Sequence, residues 1–381
     1  MDLDGRSSNL PWPRLAVVGP LPPPSGGMAN QCEQLLRLLR HEGAAVELIR
    51  TNEPYRPSWV GQWPVIRALF RLLPYLFRLW RVLGRVDVVH VFANSGWAWH
   101  LLAMPALVLA RWRGVASIVN YRGGNADRFF GSAPAHVLRT LAQASLRITP
   151  SAFLFRVFRQ HGLQAEVIPN IIDLSRFSAA PVRTGSAEPH LIVTRNLEPI
   201  YDIATAIRAF AQVRTVHPRA RLTVAGTGPD LAALQTLVRA LGLTAAVVFP
   251  GRIANADIAA LVASADCLLN ASTVDNMPIS ILEAMASGVP VVSTDAGGIP
   301  DLVEQGTTAL LVPIGDHAAM AVAALRVLGE PETARRLREG GLREAQRYAW
   351  PKVMPLWRDA YQRAARREPV AAVGLQSRGR P

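Results

Sequence analysis

Short β-branched runs alternate with helical patterns along the whole chain. In the first half the runs are 15–19 (LAVVG), 45–49 (AVELI), 87–92 (DVVHVF), 116–121 (ASIVNY), 146–149 (LRIT) and 165–168 (AEVI). The second half repeats the theme at 191–194 (LIVT), 221–226 (RLTVAG), 246–251 (AVVFPG), 266–270 (DCLLN), 289–294 (VPVVST) and 309–313 (ALLVP). Between them apolar residues fall at helical spacing, as over 34–40 and 153–158. Apolar strands joined by helices predict parallel sheets covered on both faces, an α/β architecture of two doubly wound domains. The segment 178–190 (SAAPVRTGSAEPH) is poor in apolar residues and reads as the linker between them. The expected domains are 1–178 and 190–348, followed by a helix over 349–366 that returns to the first domain. The tail 367–381 and roughly the first dozen residues read as disordered. Two such domains are expected to form a cleft between the carboxyl ends of their strands, where folds of this class bind ligands.

Composition narrows the picture. A chain of 381 residues is comfortable for two domains, and 50% hydrophobic content marks a folded protein. Only Cys32 and Cys267 occur, one in each half, which argues for a reducing compartment rather than a disulfide scaffold. The N-terminus has no basic segment followed by an apolar run, so a cytoplasmic location is expected. Charge is uneven: residues 1–178 carry 20 Arg against 10 acids, a balance of +10, while residues 179–381 carry 21 Arg and Lys against 18 acids, a balance of +3. An excess on one half suggests an anionic partner for that half. Nothing resembles a nucleic-acid motif, so nucleic acid is not the expected partner.

Residues 63–85 sharpen that expectation. Arg67, Arg71, Arg78, Arg81 and Arg85 are spaced to fall on one narrow helical stripe, and nearly everything between them is Leu, Phe, Trp, Val or Ile. Five arginines argue against a span. The pattern suits a helix lying on an anionic membrane surface, with Pro74 breaking or kinking it. The apolar stretch 97–110 is too short to span and reads as core.

The chemistry concentrates in 272–298 (STVDNMPISILEAMASGVPVVSTDAGG). A strand ends near Asn270, Pro278 opens a helix and Gly288 closes it. Asp275 precedes that helix and Glu283 lies within it. Backbone N–H groups near Ile279 and Ser280 suit phosphate oxygens, and Glu283 suits ribose hydroxyls. The same spacing also fits a helix-capping Asp275 and a solvated Glu283.

This string resembles the signature of the family 4 retaining glycosyltransferases, in which two acids separated by seven residues run into EAMA-x-G-x-P-V-V. Further landmarks resemble the same family along nearly the whole chain: 22–29 (PPPSGGMA), 87–91 (DVVHV), 149–153 (TPSAF), 167–177 (VIPNIIDLSRF), 221–229 (RLTVAGTGP) and 297–313. The resemblance implies the GT-B fold, with the acceptor site mainly in the first domain and the nucleotide-sugar site mainly in the second. It also implies transfer of a hexose-type sugar from a nucleotide diphosphate to a hydroxyl of a lipid-linked or polysaccharide acceptor, without metal or cofactor. By position, the implied donor-binding residues are Gly26, Gly27, Arg195, Gly226, Gly228, Arg252, Asp275, Asn276, Met277, Pro278, Ile279 and Glu283. Arg195 would neutralise the diphosphate, Glu283 would hold the ribose, and Asp275 with the backbone from Asn276 to Ile279 would hold the donor sugar. Asn94, Tyr121, Arg122 and Gly123 are implied on the acceptor side. His90 joins Arg195, Asp275 and Glu283 as a candidate catalytic residue, ahead of His100, His136 and His161.

Three departures stand out. The family usually has a lysine five residues after the arginine, but no second cation follows Arg195 before Arg208. A histidine usual after the fourth strand is replaced by Arg122, which suits a phosphate or acceptor ligand and not a proton acceptor. Asp275 stands where a glutamate is usual. A nucleotide-sugar 2-epimerase and a non-catalytic sugar-nucleotide binder share the fold and remain alternatives. Turnover without an acceptor marks the first, and absence of donor hydrolysis or transfer marks the second.

Overall fold

A computed structural model describes residues 11–23, 26–53, 64–179 and 187–367, with backbone alone for 64–69. The chain divides into two compact units, residues 1–168 with 354–381, and residues 169–353. The expected disorder of both termini and most of the expected linker fall outside the described residues.

Among the described residues the first unit holds six strands: β1 (Leu15–Gly19), β2 (Val46–Arg50), β3 (Val88–Ala93), β4 (Ala116–Tyr121), β5 (Leu146–Thr149) and β6 (Glu166–Val167). They form one parallel sheet in the order β2-β1-β3-β4-β5-β6. The second unit holds β7 (His190–Thr194), β8 (Arg221–Ala225), β9 (Val247–Gly251), β10 (Cys267–Asn270), β11 (Val291–Thr294) and β12 (Leu310–Val312), ordered β12-β11-β10-β7-β8-β9 and again parallel. Every apolar run of the sequence is a strand. β1, β3, β4, β5, β10 and β11 are buried along their whole length, as sheets covered by helices on both faces require.

Strand order reverses between β1 and β3 in the first unit and between β7 and β10 in the second. Loops leaving the carboxyl ends of strands on either side of such a reversal diverge and open a crevice, which is where ligands bind in doubly wound sheets.

The boundary differs from the expected one. Residues 169–177 belong to the second unit, because Ile172 and Phe177 are buried in its core beside Met277, Ile281 and Met285. The closing helix Trp350–Arg366 passes from the second unit to the first at residue 354. In the first unit Arg363 reaches Glu166 with both terminal nitrogens, at 2.9 and 2.5 Å, and both side chains are largely buried. The helix Pro64–Leu83 runs unbroken through Pro74. The stretch 97–110 is only partly core: Trp99, Ala103, Ala106, Leu107 and Ala110 are buried, while Trp97 and Leu101 are exposed.

Removing one partner of a buried ion pair leaves the other charge unpaired, which costs about 3 kcal/mol or more. Arg363→Ala is therefore expected to lower the unfolding free energy of the first unit by about that amount in a urea titration, and Arg363→Leu with Glu166→Leu to recover most of it. Equal losses in the single and double variants would contradict the pairing.

Candidate active site

In the second unit, Arg195 leaves the carboxyl end of β7, and residues 271–278 leave the neighbouring β10, so both sit at the strand reversal. The Arg195 guanidinium is ion-paired with the Asp275 carboxylate, and each side chain is 12% exposed. The Tyr201 ring lies 4.0 Å below the guanidinium carbon. Arg195 Nε is buried with no acceptor.

The loop carrying Asp275 is held on every side. Asn270 Nδ2 donates to Ser293 Oγ (3.0 Å), Ser272 Oγ donates to Asn270 Oδ1 (3.1 Å), and Thr294 Oγ1 donates to the Ser272 carbonyl (2.6 Å). These buried polar groups satisfy one another across β10 and β11 and fix where the loop starts. Thr273 N–H donates to the Ile200 carbonyl at 2.8 Å, tying the loop to the turn Pro199–Tyr201. Gly298 N–H donates to the Asp275 carbonyl at 2.8 Å. Gly297 has φ +57°, and a Cβ there would fall on the Asp275 carbonyl oxygen, so this position needs glycine twice over. Asn170 Nδ2 donates to the Met277 carbonyl at 2.9 Å from below.

The helix Ile279–Ala286 then begins, with Pro278 at its N-cap and no side chain capping it. Asn276 and Met277 are buried. Glu283 is half-buried on this helix, and burial pushes its carboxyl up to about 7 against the opposing pull of Arg176 and Arg195. The structure thus gathers Arg195, Asp275, Asn276, Met277, Pro278 and Ile279 in one neighbourhood, with Glu283 within electrostatic reach of Arg195. Gly226 and Gly228 serve it from behind: a Cβ on either would strike the backbone carbonyl of Arg195 or Leu197. Arg252 is exposed and reaches Thr227 Oγ1 at 3.4 Å.

Four contributors escaped the sequence reading of the site. Arg176 and Asn170 lie inside the landmark 167–177, which was read only as a whole. Gly297 lies at the end of the signature. Tyr201, beside the place where the lysine is missing, supports Arg195 with a ring in place of a second cation.

In the first unit, Asn94, Tyr121, Arg122 and Gly123 meet at the carboxyl ends of β3 and β4. The Tyr121 hydroxyl lies 2.7 Å from Ser95 Oγ, Ser95 N–H donates to Asn94 Oδ1 at 2.8 Å, and a Cβ on Gly123 would press on both Asn94 and Ser95. Burial lowers Arg122 to about 10, so it stays charged near neutral pH. Gly26 is extended, stands as the N-cap of the helix Gly27–His41, and has open space where a Cβ would lie.

His90 does not belong to this group. It is wholly buried in mid-strand, stacked between Phe92 and Trp357 at 4.8 Å from each, with Nδ1 2.7 Å from the Tyr361 hydroxyl. Burial and Arg122 hold it down at about 3, so it is neutral and serves to seat the closing helix. Two of the arginines of 67–85 are engaged by Glu53. Arg78 pairs with Glu53 at 2.7 Å and Arg71 donates to the Glu53 carbonyl at 3.1 Å, while Arg81 and Arg85 are exposed. The Arg67 side chain lies outside the described residues. Among the described residues, no group of three or more His, Cys, Asp or Glu is placed to hold a metal, and no helix is long and apolar enough to cross a membrane.

Because the Glu283 carboxyl titrates higher in the folded than in the unfolded chain, the folded ligand-free protein holds the extra proton between about pH 4.5 and 7. The stability this group contributes is full below about pH 4.5 and is lost as pH rises to about 7. Urea midpoints are expected to show this fall in the native protein and a smaller one in Glu283→Gln. Identical slopes would contradict it.

Two family models match the chain: Glycosyltransferase Family 4 over residues 25–176 and Glycosyl transferases group 1 over residues 179–343. The glycogen synthase of Mycobacterium tuberculosis is 30% identical over 299 residues, 74% of this chain and 70% of that protein. The N-acetyl-alpha-D-glucosaminyl L-malate synthase of Bacillus anthracis is 33% identical over 153 residues, 40% of this chain and 39% of that protein. Among solved structures, Anabaena Alr3699/HepE in complex with UDP has a TM-score of 0.70 at 18% identity, covering 92% of this chain and 99% of its own. Sucrose-phosphate synthase from Thermosynechococcus elongatus has a TM-score of 0.71 at 19% identity, covering 92% and 98%. With the paired sheets and the Arg195–Asp275–Glu283 neighbourhood, these likenesses make the chain a glycosyltransferase, a member of the family 4, or group 1, glycosyltransferases of the GT-B fold.

Proposed function

We propose that the second unit binds a nucleoside diphosphate sugar and that the sugar passes, with retained anomeric configuration, to a hydroxyl of a lipid-linked or glycan acceptor held by the first unit. The observation that carries this reading is the Arg195 guanidinium at the strand reversal, paired with a carboxylate that a diphosphate can replace. A guanidinium holds phosphate oxygens through two parallel hydrogen bonds, and a fixed cation at the leaving diphosphate stabilises the charge that develops as the glycosidic bond breaks. Asp275, released from the arginine, then faces the donor sugar hydroxyls. The uncapped start of the helix Ile279–Ala286 offers N–H groups to anionic oxygens. Glu283 accepts from ribose hydroxyls, and the two nearby arginines favour the ionised form that does so.

In this reading the acceptor hydroxyl attacks from the face the diphosphate leaves, and the leaving phosphate oxygen takes its proton. No metal or cofactor is required, because Arg195 and backbone N–H groups meet the diphosphate charge. The Asn94–Ser95–Tyr121–Gly123 cluster with charged Arg122 supports an acceptor-side role for the first unit. UDP is the first nucleotide to try, because the structural neighbour Anabaena Alr3699/HepE was solved with it. The basic excess of the first unit and the exposed Arg81 and Arg85 support work at an anionic membrane surface facing the cytoplasm.

A thermal-shift screen of UDP, GDP, ADP and their sugars tests the reading. One nucleotide and its sugar are expected to raise the melting temperature by several degrees, and Arg195→Ala and Glu283→Ala to lose at least tenfold in apparent affinity. If no nucleotide stabilises the native protein, or both variants respond as it does, the assignment is wrong. Conversion of the nucleotide sugar without any acceptor would instead indicate an epimerase.

A further inference from the structure

The sequence pointed to one arginine-bearing helix, but the structure exposes an apolar face built from two. The helix Pro64–Leu83 packs beside the stretch formed by the π-helical turn Trp99–Ala103 and the helix Met104–Trp112. The Tyr75 hydroxyl donates to the Leu102 carbonyl at 2.6 Å, and the Arg113 guanidinium lies 4.3 Å from the centre of the Trp80 ring. Tyr75, Leu79, Val82, Ala106, Leu107 and Ala110 point into the core of the first unit. The outward positions are also apolar. Phe70, Leu73, Phe77 and Trp80 recur every three or four residues along the first helix and are exposed, Phe77 to 69%. Leu101 is exposed on the second stretch, and Trp97 and Trp112, at its two ends, are exposed to 78% and 73%. Isolated exposed apolar residues are ordinary, whereas this many large ones on two packed helices mark a surface that meets something apolar.

Charge says what that is. The sequence has no acid from residue 54 to 86 and none from 88 to 126, while Arg81, Arg85, Arg111 and Arg113 stand exposed on these helices or at their ends. A border in which arginines outnumber acids, with Glu53 paired to Arg78 and Asp87 to Arg14, around tryptophan and phenylalanine matches a bilayer interface, where indole rings sit at the headgroup level and guanidinium groups meet lipid phosphates.

We propose that this two-helix face inserts shallowly into one leaflet of an anionic bilayer, with Phe70, Leu73, Phe77, Trp80, Trp97 and Trp112 entering the interface and the bordering arginines contacting phosphate headgroups. The proposal rests on the membrane-surface reading above and replaces attraction through an arginine stripe with apolar insertion. It requires nothing of the donor site.

The test uses the full chain with vesicles of phosphatidylcholine alone and of equal parts phosphatidylcholine and phosphatidylglycerol. The native protein is expected to cosediment with the mixed vesicles, and lipids brominated in the acyl chains are expected to quench its tryptophan fluorescence. Trp97→Ser with Trp112→Ser, and separately Phe77→Ser, are surface changes expected to keep the melting temperature. They are expected to weaken cosedimentation at least tenfold, and the first to lose most of the quenching. If these variants bind mixed vesicles as the native protein does while Arg81→Gln with Arg85→Gln does not, the membrane reading stands and insertion is overturned. If the native protein ignores both vesicles, both fall. If the variants instead turn a native dimer into a monomer, the face is covered by a second copy and insertion is overturned.

Discussion

The candidate site depends on one ion pair, Arg195 with Asp275, held where the second sheet reverses its strand order. Each charge is nearly withdrawn from water and would be costly alone, so each fixes the other. The surrounding structure keeps both in place. The Tyr201 ring supports the guanidinium, Gly226 and Gly228 let the Arg195–Leu197 backbone press against the β8 loop, and Gly297 lets the Asp275 peptide press against the next loop. A site built this way is preorganised: its cation is already aimed, and a ligand need only exchange one anionic partner for another.

The same pair stands beside the position of the missing lysine. The resemblance implies that a family member with both cations meets the diphosphate with an arginine and a lysine. Here the second position carries no charge, and its backbone ties the Thr273 loop through the Ile200 carbonyl. The Tyr201 ring, 4.0 Å from the guanidinium carbon, holds the remaining arginine. The shorter aspartate fits that arrangement, because its carboxylate reaches Arg195 directly. Glu283 completes the electrostatics: burial raises it while Arg176 and Arg195 pull it down, so its charge state responds to what occupies the arginines.

Much of this was readable in the chain. Among the described residues each strand follows from an apolar run, most plainly where both faces are buried, as in β1, β3, β4, β5, β10 and β11. Asp275 and Glu283 were legible as acids flanking a helix start after a buried strand, and Arg195 only through the family resemblance; the structure places Asp275 against Arg195 and Glu283 within its electrostatic reach. The domain boundary was not readable, since Ile172 and Phe177 look alike whichever core receives them. His90 misled because a histidine in an apolar strand looks the same whether it faces a ligand or Trp357 and Tyr361. The stretch 97–110 read wholly as core because hydrophobic spacing does not say which side of a helix is covered. That Glu53 engages Arg71 and Arg78 was not readable either, because it lies 18 and 25 residues away in sequence.

The central claim is that Arg195 is a diphosphate anchor which Asp275 occupies when no donor is bound. Calorimetric titration of UDP and UMP into the native protein and into Asp275→Asn tests it most directly, since neither ligand carries the sugar that Asp275 would otherwise contact. The account predicts that the native protein prefers UDP to UMP at least tenfold and that Asp275→Asn widens the preference by freeing the guanidinium. Equal binding of UDP and UMP, or a preference that vanishes in Asp275→Asn, would contradict it.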